Sequence, residues 1–240
     1  MIKLYYAVNT CSLASHIALE EAGATYTTVQ VSFASNEQRG PEYLAINPKG
    51  RVPAMVTDRG ILTETPAMLA YIAQSFPEAR LAPLDDPFTF AEVQAFNSYL
   101  CSTVHVAHAH RMRGQRWADD PAAIAAMQRK VPQSVGACFE LIERDMLKGP
   151  WVMGEAYTIC DPYLFTLAGW LEGDGVDLTN CRGSWIITVA CRSGRQCGGR
   201  SQRSLPDGAR TPRRRAGLLN FTLAKRSLRA TLVRNLSEGK

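Results

Sequence analysis

Cys11 stands where an apolar and aromatic run, residues 2–8, gives way to a helical stripe of Leu13, Ile17, Ala18 and Ala22 that Gly23 is placed to end. A thiol at such a junction faces the unsatisfied N–H groups of a helix N-terminus, which favour an anion and therefore a thiolate. The competing reading is an inert core cysteine, since cysteine is among the most buried residue types. Val52–Pro53 is a second chemical feature. A cis Pro53 turns the Val52 backbone outward, ready to pair in antiparallel fashion with an extended peptide, whereas a trans proline would mark an ordinary edge strand. The third is Glu64–Thr65, at the turn into another helix. There the Thr65 N–H and hydroxyl can take a carboxylate, and Glu64 can accept from an ammonium. A plain helix cap is compatible with the same residues.

The elements that position these residues follow from periodicity. Residues 2–8 read as a buried strand and residues 27–33 (TTVQVSF) as a second, with a helix between them, so the unit is βαβ with parallel pairing. A short helical stretch over Pro41–Ile46 leads to the turn residues Asn47–Pro48–Lys49–Gly50. Val52–Val56 and Ile61–Thr63 form a hairpin across Asp58–Arg59–Gly60, and Met68, Leu69, Ile72, Ala73 and Phe76 give a helical stripe before Pro77. The expected order is β-α-β-α-β-β-α over residues 1–79. Residues 80–87 (RLAPLDDP) read as a linker.

From residue 88 to 178 the pattern is helical only. Val93, Phe96, Asn97, Leu100, Val104 and Ala107 follow one face of a long helix; Ile124, Met127, Val131, Val135, Cys138 and Ile142 follow the next, with a kink expected at Pro132. Thr158–Ile159–Cys160–Asp161 has the form of a capping box before the apolar run Tyr163–Leu171. His105, His108 and His110 cluster on the long helix, beside Arg111 and Arg113. No carboxylate or cysteine completes a ligand set, so no metal site is expected.

Charge divides the chain. Residues 1–179 carry 13 Lys and Arg against 20 Asp and Glu, and residues 180–240 carry 14 against 2. The second segment is rich in Arg, Gly, Ser and Cys without period, and it lacks both interleaved aromatics and zinc-ligand spacing, so nucleic-acid binding is not expected of it. The expectation is an atypical basic tail, 179–240, translated out of frame. Seven cysteines at irregular spacing without an export signal read as free thiols, and no apolar stretch approaches the length of a membrane span. A cytoplasmic protein is the expectation.

The strings Tyr5–Tyr6, Cys11–Leu19, Tyr43–Ala54, Glu64–Ala67 and Gly154–Asp161 resemble the bacterial, beta-class-like cytosolic glutathione S-transferases over about residues 1–178. The resemblance implies a thioredoxin-like α/β domain followed by an all-α bundle. It implies glutathione bound by Cys11, Val52, Pro53, Glu64, Thr65 and His105, and conjugated through its thiolate to a small hydrophobic electrophile entering near His105 and Tyr99. Cys11 and His105 are the implied catalytic residues, with Tyr6 a secondary candidate by analogy with classes that use a tyrosine hydroxyl. Val106 and Ser98 depart from the family pattern, which has a basic residue and an asparagine there. A homodimer is implied, with glutathione as co-substrate and no further cofactor. Other glutathione chemistry on this fold (a thiol reductase, dehalogenase or isomerase) and a non-catalytic binding protein are the alternatives.

Overall fold

In the computed structural model, residues 1–177 are described. The boundary expected at 178 and the basic tail lie outside them.

The N-terminal elements are β1 (Ile2–Tyr6), α1 (Ser12–Glu21), β2 (Tyr26–Gln30), α2 (Pro41–Leu44), β3 (Ala54–Thr57), β4 (Gly60–Thr63) and α3 (Thr65–Ser75). The sheet order is β2-β1-β3-β4, with β1 and β2 parallel and the other two pairings antiparallel. This is the thioredoxin-like arrangement expected. Both leading strands are shorter than their apolar runs. β1 stops before Asn9, whose left-handed φ of 57° turns the chain towards α1. Val31, just beyond β2, still donates its N–H to the Tyr6 carbonyl at 2.7 Å. α1 ends as its sequence suggests: Gly23 has φ +63°, and Ala24 N–H returns to the Leu19 carbonyl at 3.0 Å.

The remaining elements are helical: α4 (Pro87–Tyr99), α5 (His105–Arg113), α6 (Pro121–Leu141) and α7 (Cys160–Ala168). Asp86 caps α4 by accepting from Phe88 and Thr89 N–H, and Asp120 caps α6 by accepting from Ala122 N–H, each with proline in the first turn. The long helix expected from Val93 to Ala107 is divided by a π-turn at Leu100–Val104, which its apolar stripe crosses without interruption. α6 continues through Pro132.

The capping box forms. Asp161 is buried and accepts from Thr158 N–H at 2.7 Å, from the Thr158 hydroxyl at 3.2 Å and from Val152 N–H at 2.9 Å. One hydrophobic core runs from Leu4, Ala14 and Ala18 through Met68, Leu69 and Ile72 to Val93, Leu100, Phe139 and Leu164. A smaller cluster of Ala7, Val31, Tyr43, Val52 and Ala54 lies on the other side of the sheet. Among the described residues no helix is long and apolar enough to cross a membrane.

Candidate active site

Cys11 occupies the N-cap position of α1, buried at 8% exposure. Its turn is fixed from within: Thr10 donates its hydroxyl to the Ala7 carbonyl at 2.8 Å and lies 2.6 Å from the Ser12 hydroxyl. The Cys11 thiol donates to the Val52 carbonyl at 3.6 Å and is hydrogen-bonded to the Thr65 side chain. The structure therefore brings together three residues, separated by 41 and 13 positions, that sequence spacing alone left apart.

Each partner is delivered by its own local geometry. The Val52–Pro53 bond is cis. Pairing between β1 and β3 ends at Tyr5 with Ala54, so Val52 lies just past the ladder. Upstream, Tyr43 hydroxyl and Asn47 side-chain amide both donate to the Arg51 carbonyl, at 2.7 and 2.6 Å, and hold the loop in place. Gly50 in that loop has φ +60°, and a Cβ there would stand 2.9 Å from the Gln38 carbonyl, so glycine is required. Glu64 has φ +72°, a conformation that side-chain-bearing residues seldom adopt and that recurs at functional sites. It starts α3, whose first helical bond runs from Met68 N–H to the Glu64 carbonyl, leaving the Thr65 and Ala67 N–H groups without an intrahelical partner. The Glu64 carboxylate is paired with the Lys49 ammonium.

Burial pushes the Cys11 thiol up to about 11, against the opposing pull of the Thr65 hydrogen bond. At neutral pH it is a thiol, able to donate a hydrogen bond but not to act as a thiolate.

Around this centre stand two residues that sequence reasoning did not single out. Cys101, in the π-turn after α4, interacts electrostatically with Cys11 and is hydrogen-bonded to the Tyr163 side chain of α7. Tyr163 is itself buried, with its ionisation pushed strongly up by desolvation and by the nearby Cys11 and Cys101. No local pattern signals this meeting, because Tyr163 reads simply as one member of an apolar run.

His105 heads α5 in a different neighbourhood. Its ring centroid lies 5.2 Å from Trp170 and 6.2 Å from His108. Desolvation, then His108, Arg116, Arg51 and Arg113, lower its pKa to about 4, so it is neutral at physiological pH. His108 stacks on Trp170 at 4.3 Å and meets the buried Asp174 carboxylate at 2.7 Å, which Arg111 also approaches at 3.3 Å. Among the described residues no group of three or more His, Cys, Asp or Glu is disposed to hold a metal ion.

Tyr6, the last residue of β1, is buried, its ring 4.9 Å from His16 and its hydroxyl 3.5 Å from the Gln30 side-chain oxygen. Tyr99 interacts with Cys138 of α6, and burial raises its hydroxyl to about 12. Cys11, Cys101, Cys138 and Cys160 are all free thiols.

Comparison with known proteins bears on this geometry. The glutathione S-transferase N-terminal domain matches residues 1–74. Glutathione S-transferase GstA of Escherichia coli O157:H7 is 32% identical over 173 residues, which is 70% of this chain and 82% of that protein. Glutathione S-transferase GST-4.5 of Xanthomonas campestris is 27% identical over 178 residues, 74% of this chain and 86% of that one. A solved glutathione transferase homologue from Sulfitobacter, with bound glutathione, is 45% identical, superposes with a TM-score of 0.75, and corresponds to 82% of this chain and 94% of its own. Taken with the α/β layer and the helical layer behind it, these matches show that the chain belongs to the glutathione S-transferase family.

Proposed function

We propose that this glutathione transferase holds glutathione along Cys11, Val52, Pro53, Glu64 and Thr65 and conjugates its thiolate to electrophiles that carry an apolar body. The observation that carries the reading is the convergence of the Cys11 thiol, the Val52 carbonyl and the Thr65 hydroxyl at the starts of α1 and α3. An extended tripeptide pairs its cysteine backbone with Val52 beyond the end of the β1–β3 ladder. Its γ-glutamyl carboxylate meets the free Thr65 and Ala67 N–H groups, and its ammonium exchanges with Lys49 for the Glu64 carboxylate.

The Cys11 thiol then gives up its bond to Val52 and donates to the sulfur of glutathione. A protonated donor aimed at a thiolate stabilises that charge without competing for the electrophile. Glutathione is the nucleophile and Cys11 its hydrogen-bond donor. His105, neutral, lines the side from which the second substrate arrives. Sulfur attacks the electrophilic carbon and the leaving group departs with its bonding pair. No redox step occurs, so the chemistry asks for no cofactor beyond glutathione as co-substrate. The same reading includes a cytoplasmic homodimer, for which the exposed Phe88 and Leu84, beside a cavity of about 400 Å³ lined by Gln74, Leu84, Pro87 and Phe90, supply apolar surface.

Steady-state kinetics on Cys11→Ala and Glu64→Gln test the assignment. Removing one charge-assisted bond is expected to lower kcat about tenfold to hundredfold for Cys11→Ala, and to raise the KM for glutathione by a similar factor for Glu64→Gln. Unchanged conjugation by Cys11→Ala removes Cys11 from the mechanism.

A further inference from the structure

Four guanidinium groups gather beside the loop that carries Val52. Arg39, in the short 3-10 turn Glu37–Arg39, lies against the next loop: its Nη1 is 3.0 Å and its Cδ 3.3 Å from where a Cβ on Gly50 would stand. Arg51 follows Gly50 directly and precedes the residue whose carbonyl receives the Cys11 thiol. Arg113, at the end of α5, places its guanidinium 5.7 Å from the centroid of Phe33, on the same connection that holds Arg39. Arg116 follows one short turn later, in Gly114–Arg116. Three separate stretches of chain thus bring like charges to one place.

Like charges this close repel, and the molecule registers it. Arg116 is held below the ordinary arginine range by partial burial and then by Arg113, Arg51 and Arg39. Arg116, Arg51 and Arg113 likewise disfavour protonation of His105. Among the described residues none of the four arginines forms an ion pair. Two carboxylates on the adjoining loops are engaged elsewhere: Glu37 accepts from the Ser32 N–H at 2.7 Å and the Ser35 hydroxyl at 3.1 Å, and Glu64 holds Lys49. A cluster of unanswered positive charge is costly to the free protein and is repaid when an anion binds.

Glutathione does not balance this charge. In the placement above its γ-glutamyl carboxylate sits at α3 and its ammonium at Glu64, which leaves one carboxylate, that of glycine, for four guanidiniums. We propose that the second substrate is an organic anion, an electrophile bearing a carboxylate, sulfonate or phosphate on an aromatic or otherwise apolar body, selected by Arg39, Arg51, Arg113 and Arg116. The apolar body has partners in the exposed rings of Phe33 and Trp117, the latter edge-on to His110 at 4.5 Å. This inference rests on the glutathione-transferase reading and names the class of molecule that reading leaves open. The chemistry is ordinary substitution: with an aryl chloride, the S–C bond forms, the C–Cl bond breaks and chloride leaves with the electron pair.

Two matched aryl chlorides test it, 1-chloro-2,4-dinitrobenzene and 4-chloro-3,5-dinitrobenzoate, each rate divided by its uncatalysed rate with glutathione. The full-length protein is expected to favour the carboxylate about tenfold or more in corrected kcat/KM, with the preference shrinking as salt rises to several tenths molar, because exposed charges are screened over about 10 Å at 0.1 M. Arg116→Gln and Arg39→Gln each reduce that ratio about threefold to tenfold, and Arg116→Lys retains most of it. Equal corrected rates for the two chlorides overturn the proposal. So does a loss that appears only as a raised KM for glutathione, which would assign the arginines to the glycine carboxylate. Calorimetry with the two corresponding glutathione conjugates separates the levels of failure. If the carboxylated conjugate binds no more tightly than the neutral one, the anion proposal falls alone. If neither conjugate binds, the glutathione reading falls with it.

Discussion

The Cys11 thiol donates to the Val52 carbonyl across 3.6 Å, joining the start of the first helix to the loop before the cis-proline. That carbonyl is one of the groups an extended peptide would use, so the free protein closes its own peptide-binding edge with a weak sulfur hydrogen bond. Such a bond is easily exchanged for a stronger amide partner.

Burial holds the thiol up to about 11, so Cys11 should alkylate slowly at neutral pH. Iodoacetamide labelling of Cys11, followed by peptide mass spectrometry, is expected to accelerate through pH 10 to 11 and to show no step near pH 7. Glutathione should protect the residue. A fast reaction at pH 7 would mean a thiolate, and the donor role assigned to Cys11 would not stand.

His105 should remain uncharged well below neutrality. Its pKa of about 4 lies below the ordinary value of 6.5, so folding favours the neutral ring. Its contribution to stability is complete above pH 6.5 and is lost as pH falls towards 4. Histidine side-chain NMR should show two rings that do not titrate between pH 5 and 8, since burial also lowers His16 to about 4, and the His105 ring is the one lost in His105→Gln. In Arg116→Gln the same ring should titrate at higher pH, since one of the repelling charges is gone.

Gly50→Ala should cost about 1–3 kcal/mol, because it forces a side chain into positive φ and towards the Gln38 carbonyl. The midpoint of urea unfolding reads this directly. The same substitution displaces Arg39, whose guanidinium occupies the neighbouring space, and should raise KM for an anionic substrate.

Much of this was legible from residues alone. The order β-α-β-α-β-β-α followed from alternating and 3.6-residue periods, and the Thr158–Asp161 box announced its helix through capping chemistry, whereas α4 begins at Pro87, inside the stretch read as a linker. The cis bond at Val52–Pro53 agrees with the string before it. Strand ends were less legible: the run over residues 2–8 stays apolar past Tyr6, and only the left-handed turn at Asn9 stops the pairing. The π-turn at Leu100–Val104 was hidden because it shifts the phase of a helix without altering which residues are apolar. Cys101 meeting Tyr163, and the four arginines beside Val52, depend on tertiary placement of distant segments, for which local pattern carries no signal.

Asp161→Ala should be among the most destabilising single substitutions in the helical layer. It leaves the Val152 and Thr158 N–H groups buried without partners, at about 2–4 kcal/mol together. Burial raises the Asp161 carboxyl to about 7, above its ordinary 3.8. The folded state therefore favours the protonated form, and this contribution is present below pH 4 and lost as pH rises through 7. Urea midpoints of the wild type and Asp161→Asn, compared at pH 5 and pH 8, should diverge in that direction.

The unbroken run of apolar side chains from Leu4 through Met68 to Leu164 has a consequence for how damage spreads. The same buried cluster takes in side chains of the sheet and of the helices behind it, so melting either layer alone would expose the apolar face of the other. Calorimetry should record a single cooperative transition for residues 1–177, and a lesion placed in α7, remote in sequence from Cys11, should loosen the turn that aims it. The binding edge is as durable as the helices that back it.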